Sequence, residues 1–68
     1  MTNDPKEVAM ALIEEGYPIE KYQNIQEHRR DRLMFFRRIG LQTAIDKELQ
    51  IIAHGEKVLQ LMSELKKQ

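Results

Sequence analysis

The stretch RRIGLQTAID, residues 37–46, decides the fold of this chain. Gly40 suits the left-handed residue that follows a helix end, and the arginines before it complement the dipole of a last helical turn. Thr43 and Asp46 have the spacing of a capping box at the start of another helix. The stretch therefore predicts a turn between two antiparallel helices. The alternative is one continuous helix through Gly40, since a glycine inside a helix costs only about 1 kcal/mol.

Two further signals divide the residues before this hairpin. In NDPKE, near the N-terminus, Asn3 or Asp4 can cap a helix and Pro5 suits its first position. Gly16 ends that helix, and Pro18 suits the start of the next one. We therefore expect a single domain over residues 1–68, with helices at about 5–15, 18–39 and 43–66.

The size of the chain favours assembly. A domain of 68 residues buries only about 60% of the surface that its unfolded chain exposes, so its core supplies little net stability. Disulfides, a structural metal and oligomerisation are the usual remedies. The sequence has no cysteine, which excludes disulfides and thiolate zinc sites. Oligomerisation is therefore the expected remedy.

Charge is distributed unevenly along the chain, although the formal net charge is zero. Residues 1–27 carry two lysines and six acidic residues, a net −4, whereas residues 28–38 carry five arginines and one aspartate, a net +4. Either the acidic third folds against the basic segment, or the asymmetry marks an interaction surface. A dedicated nucleic-acid binder normally has a net basic charge, so nucleic acid is the second choice of partner.

The apolar positions of the third helix cover about half of its circumference. A single neighbouring helix cannot cover so broad a surface, so we expect the second helix and a second copy of the hairpin to flank it. The predicted assembly is all-α: helical hairpins, each with a short N-terminal helix, dimerise into an antiparallel four-helix-type bundle. The predicted core of hairpin and dimer consists of Tyr22, Ile25, Leu33, Phe36, Ile45, Ile51, Ile52, Gly55, Val58, Leu59 and Met62.

Three charged residues interrupt the predicted interface between the second and third helices. Arg29 lies in the middle of one apolar stripe, Arg32 lies at its edge, and Glu48 interrupts the facing stripe. In an antiparallel hairpin that turns at Gly40, Glu48 comes level with Leu33 and within reach of both arginines. We therefore predict a structural ion pair of Arg29 and Arg32 with Glu48, a device that can fix the register of two helices.

The remaining arginines, Arg30, Arg37 and Arg38, share one flank of the second helix. Met34 and Phe35 lie off the main apolar stripe, so we do not expect the hairpin to bury them. An exposed apolar spot rimmed by arginine has the composition of a protein interface. These five residues form the predicted partner-binding surface. The three arginines alone form the alternative surface for nucleic acid.

Metal, cofactor and catalytic sites are not predicted. His28 and His54 come level on one side of the hairpin, but their spacing does not complete a zinc ligand set. The sequence has no Gly-rich phosphate loop and no cysteine, and its single serine, Ser63, belongs to no catalytic set. No apolar run approaches the roughly 18 residues of a membrane span. With no signal peptide recognised, the expected location is the cytoplasm and no membrane contact is expected.

The sequence therefore predicts a small non-enzymatic protein-interaction module, an adaptor or regulator that acts as a homodimer and binds another protein. The first helix carries exposed acidic residues, and it either closes over the hairpin or is offered to that partner. The alternative function is a dimeric nucleic-acid-binding regulator that uses the arginine flank of the second helix.

Overall fold

Three helices form the part of the chain that the structure, a computed structural model, describes, residues 4–67. Helix α1 spans Pro5–Glu14, α2 spans Ile19–Ile39 and α3 spans Gln42–Lys66. No strand occurs within these residues. The predicted all-α class is therefore confirmed.

Short-range signals set the ends of α1. Asp4 Oδ1 accepts a hydrogen bond from the backbone N–H of Lys6, 3.1 Å away, and Pro5 occupies the first helical position. Gly16 ends the segment in the left-handed region, at φ 73°, and its N–H donates to the carbonyl of Ile13. These contacts satisfy backbone groups that a helix end leaves without partners.

A tight turn at Gly40 joins α2 to α3, so the chain forms a hairpin rather than one long helix. Gly40 has φ 75°, and its N–H and that of Leu41 both donate to the carbonyl of Phe36, at 2.9 and 3.1 Å. Helix α3 begins at Gln42 with no side-chain cap, so the predicted capping box from Thr43 is wrong. The reason is that only Gly40 and Leu41 connect the helices, which places Thr43 already inside the first turn of α3.

Helix α1 packs against α3, where a second copy of the chain had been expected. The buried centre of this packing consists of Ala9, Tyr22, Val58 and Met62. The partly buried side chains around it come from α1, the segment between α1 and α2, the start of α2 and the end of α3: Val8, Leu12, Ile13, Tyr17, Ile19, Leu59, Leu61 and Leu65. We call α1 together with residues 15–28 and 55–67 the base half of the molecule, and residues 29–54 the turn half.

The turn half has a thinner core, formed by α2 and α3 alone. Leu33 and Ile45 are its buried hydrophobic residues. Among the side chains predicted for the core, those at 22, 33, 45, 58 and 62 are buried, and Gly55 is buried with them. Ile25, Phe36, Ile52 and Leu59 are half-buried. Ile51 departs from the prediction and is 40% exposed, because the α3 side chains in the α1 core all lie at or beyond Val58.

Candidate functional site

Exposed apolar side chains concentrate in the turn half. With the exception of Met10 on α1, the exposed large hydrophobic residues of the described chain all lie between positions 34 and 51. They are Met34, Phe35, Ile39, Leu41, Leu49 and Ile51. Exposed apolar side chains that are concentrated in one part of a molecule mark sites of contact with other molecules more often than scattered single residues do.

These side chains occupy more than one face of the hairpin. Met34 follows Arg30 by one helical turn and Leu49 precedes Glu56 by two, so both lie on the face that carries the Arg30–Glu56 ion pair. Phe35 and Ile39, four residues apart, share the outer side of α2. The centroid of the Phe35 ring lies 6.0 Å from that of the half-buried Phe36.

The predicted partner-binding residues are all exposed, but their arginines differ in whether they form an ion pair within the chain. Met34 and Phe35 are 61% and 54% exposed. Arg37 and Arg38 are exposed in the last turn of α2. Arg30 is also exposed, but its guanidinium pairs with the Glu56 carboxylate of α3. The arginine flank therefore reduces to two residues beside the apolar pair.

One ion pair crosses the interior of the turn half. Arg32 donates to Glu48 Oε1 from Nε and Nη2, at 3.0 and 2.9 Å. Glu48 is 4% exposed, whereas the Arg32 side chain is half-exposed, so the carboxylate is held at the rim of the core. Arg29 was predicted to share this carboxylate. It lies one turn further from Gly40 and binds Gln26 instead.

Gln26, which the sequence reasoning missed, lies at the centre of the α2–α3 interface. It is fully buried; its Nε2 donates to the carbonyl of Ile52 at 3.1 Å, and its Oε1 accepts from Arg29 Nη1 at 2.6 Å. A Cβ on Gly55 would lie 2.1 Å from that Oε1, so the glycine makes room for the buried amide. The spacing of the sequence does place Gln26 in this interface, because positions 22, 26, 29, 33 and 36 alternate by four and three residues, as in a heptad repeat.

Two open depressions that share Lys47 lie along α3 in the turn half. The first is lined by Arg29, Lys47, Gln50, Ile51 and His54. Lys47 also borders a second depression, formed by residues 40–44 at the turn. We call the two together the turn-half groove. Its charged lining is basic, since no aspartate or glutamate lines either part.

The described residues offer no metal cluster and no membrane span. Between residues 4 and 67, no group of three or more His, Asp or Glu side chains could hold a metal ion. His54 lines the groove and His28 is exposed on α2. Over the same residues, none of the three helices is long and apolar enough to cross a bilayer.

The fold and the site define a class of molecule: an all-α helical hairpin with one half covered by its own N-terminal helix and one half uncovered. No protein-family model matches the sequence, and neither a curated protein nor a solved structure was found to match it. Function is therefore inferred from the side chains of the uncovered half.

Proposed function

We propose that this protein is a small non-enzymatic protein-interaction module, an adaptor or regulator that binds other proteins through its turn half. The observation that carries the proposal is the exposure of Met34, Phe35 and Ile39 beside Arg37 and Arg38. Aromatic residues, methionine and arginine are enriched where proteins contact one another. Burying these exposed apolar side chains against a partner protein is favourable, because it removes them from water.

The alternative, a nucleic-acid-binding regulator, has less support from the side-chain contacts. Two of the five arginines of α2 are already paired with carboxylates, Arg30 with Glu56 and Arg32 with Glu48. Phosphate binding would have to compete with these carboxylates. The apolar residues beside the remaining arginines contribute little to the phosphate contacts that dominate nucleic-acid affinity.

A homodimer is part of the proposal, with the outer side of α2 as its contact, so that self-association and the binding of another protein compete for the same residues. Two α2 helices that pair antiparallel about Phe35 would bring Asp31 of one copy close to Arg38 of the other, so the contact is complementary in charge as well as apolar. The need for a second copy along α3 is smaller than the sequence suggested, because α1 covers the base half.

Sedimentation equilibrium over a dilution series tests the homodimer. We expect a dimer that dissociates on dilution, and a shift towards monomer in Phe35→Ser. A matched variant, Met10→Ser, changes an exposed apolar residue of α1 and should leave the equilibrium unchanged. A chain that is monomeric throughout the series would remove the homodimer and leave partner binding as the remaining role.

Site-specific photo-crosslinking tests the interaction module itself. A benzophenone amino acid replaces Phe35 in the full chain, and a control chain carries it at Gln23, an exposed position on α2 in the base half. In cells of the source organism we expect discrete adducts with proteins other than this chain from position 35 that position 23 does not give. Equal or absent adducts at both positions would contradict the module, and nucleic-acid adducts confined to position 35 would favour the alternative function.

A further inference from the structure

The surface of α3 that binds α1 continues past the end of α1. One heptad column of α3 consists of Ala44, Ile51, Val58 and Leu65. Val58 has no exposed surface and Leu65 is partly buried, both against the α1 core. Ile51, one heptad nearer the turn, is 40% exposed and lines the turn-half groove. The same apolar column is therefore covered in one half of the molecule and open in the other.

Helix α1 shows what kind of element this column binds. Its apolar side chains, with Ala9 at the centre, pack against α3, while acidic residues are exposed along and just beyond the helix. These exposed acidic residues are Glu7, Glu14 and Glu15. The column thus already binds one acidic amphipathic helix, within the same chain.

The charge of the open part fits a helix of the same type. Arg29 and Lys47 line the groove, and no acidic side chain lines it. The nearest buried carboxylate, Glu48, is engaged by Arg32. A ligand with carboxylates on the flanks of an apolar stripe would place them next to Arg29 and Lys47, where partial burial strengthens the attraction.

We infer that the turn-half groove binds an acidic amphipathic helix of a partner protein, laid along α3 in line with α1. From Gln42 to His54 the groove follows 13 residues of α3, about 20 Å at the helical rise, which accommodates three to four turns of a partner helix. A second copy fits this groove poorly, because two such faces brought together would place Lys47 and Arg29 of both copies side by side. This inference goes beyond the proposed function, because it assigns a second contact surface in the turn half and names the class of partner that fits it.

Titration with designed peptides tests the groove. The probe is a helical peptide of about 14 residues, with leucines at helical three- and four-residue spacing and glutamates on both flanks. The control peptide has lysine in place of every glutamate. Amide resonances of the ¹⁵N-labelled full chain report binding. We expect the acidic peptide to shift Ala44, Lys47 and Ile51, and to bind about tenfold or more tightly than the lysine peptide, with an affinity that falls as salt rises.

Two matched pairs of variants separate the groove from the rest of the surface. Ile51 and Leu49 are exposed to the same extent, 40% and 42%, on different sides of α3. Ile51→Gln should weaken the acidic peptide about tenfold, and Leu49→Gln should leave its affinity within about twofold. Lys47→Glu should weaken it similarly, whereas Lys57→Glu, an exposed lysine away from the groove, should not. Circular dichroism establishes that each variant remains helical.

The outcomes distinguish this inference from the proposed function. Equal affinity for the acidic and lysine peptides, equal effects of Ile51→Gln and Leu49→Gln, or no binding at millimolar peptide would overturn the groove inference. Crosslinks from position 35 would in that case still support an interaction module that uses the outer side of α2. Peptide binding that depends on Ile51 and Lys47 supports the inference whatever the crosslinks show.

Discussion

The base half and the turn half are built from the same two helices, yet only the base half is closed. Val58 is fully buried and Ile51 is 40% exposed, although they are seven residues apart in one column of α3. The difference is α1, a helix of ten residues that covers the end of α3 and stops short of the turn. Helix α1 therefore determines which part of the apolar column of α3 is buried and which part remains exposed.

The two halves also differ in the chemistry of their interiors. The base half centres on apolar side chains, with Tyr22 and Met62 among its buried residues. The turn half buries the Glu48 carboxylate at its edge, and the buried Gln26 amide separates the two halves. Buried polar groups specify register but add less stability than apolar packing. We therefore expect the base half to carry most of the stability and the turn half to be free to bind.

The largest effect should come from the base half. Met62→Ala removes a fully buried side chain, so we expect the free energy of unfolding to fall by about 3 kcal/mol. Ile51→Ala, in the turn half, should lower it by about 1 kcal/mol or less, because water already reaches that side chain. Urea unfolding followed by circular dichroism measures both. Equal losses would mean that the two halves contribute equally to the free energy of unfolding, which would contradict the expectation that the base half carries most of it.

A smaller effect is expected where the halves meet. Gly55→Ala places a Cβ within 2.1 Å of Gln26 Oε1 and 2.7 Å of Arg29 Nη1, so we expect a loss of about 2 kcal/mol despite the better helix propensity of alanine. The same change in a Gln26→Ala background should cost little or nothing, since the contact that remains is with Arg29 Nη1, the end of a flexible side chain that can move away. A loss of the same size in both backgrounds would show that the amide is not the obstacle.

The buried ion pair of the turn half should have a more modest effect. Arg32→Leu leaves the Glu48 carboxylate nearly buried without its partner, and we expect a loss of about 1 to 2 kcal/mol because the arginine end is half-exposed to solvent. The double variant Arg32→Leu with Glu48→Leu should recover most of that loss. A double-mutant cycle by urea unfolding measures the coupling. If the losses of the two single variants add up to the loss of the double variant, the two side chains are not coupled and the ion pair does not contribute to stability.

The smallest effect is expected for the exposed pair on the opposite face. Arg30 and Glu56 are 54% and 44% exposed in their side chains, so Arg30→Leu should change the free energy of unfolding by about 0.5 kcal/mol or less. Thermal unfolding at low and high salt measures this, with Arg32→Leu as the reference. A loss equal to that of Arg32→Leu would mean that burial does not separate the two ion pairs.

The local features of the fold are readable from the residues that make them. Gly16 and Gly40 adopt positive φ, a conformation that favours glycine, and Pro5 occupies the first position of α1. Glu48 lies at the same height along the hairpin as the arginines of α2, because the two helices are antiparallel and turn near Gly40. These features depend on neighbours in sequence or on simple helix geometry, and the sequence contains both.

The features that the sequence could not specify depend on contacts between distant segments. The broad apolar sector of α3 indicated a second neighbour for that helix, but its period could not say whether α1 or another chain supplied it. Gln26 is buried in the interface, as its spacing indicates, but a search for apolar stripes does not include it because it is polar. Arg29 binds Gln26 rather than Glu48 because the buried amide offers a nearer acceptor.

The sequence by itself determined the helical segments and favoured a turn at Gly40 over one continuous helix, because backbone sterics, capping and apolar period act over a few residues. Only the tertiary structure decided that α1 covers the end of α3, that Gly55 makes room for Gln26, and that Ile51 stays exposed beside Lys47. Each of these depends on which surfaces meet across the fold. Burial is settled by the whole set of competing contacts rather than by any single stretch of the chain.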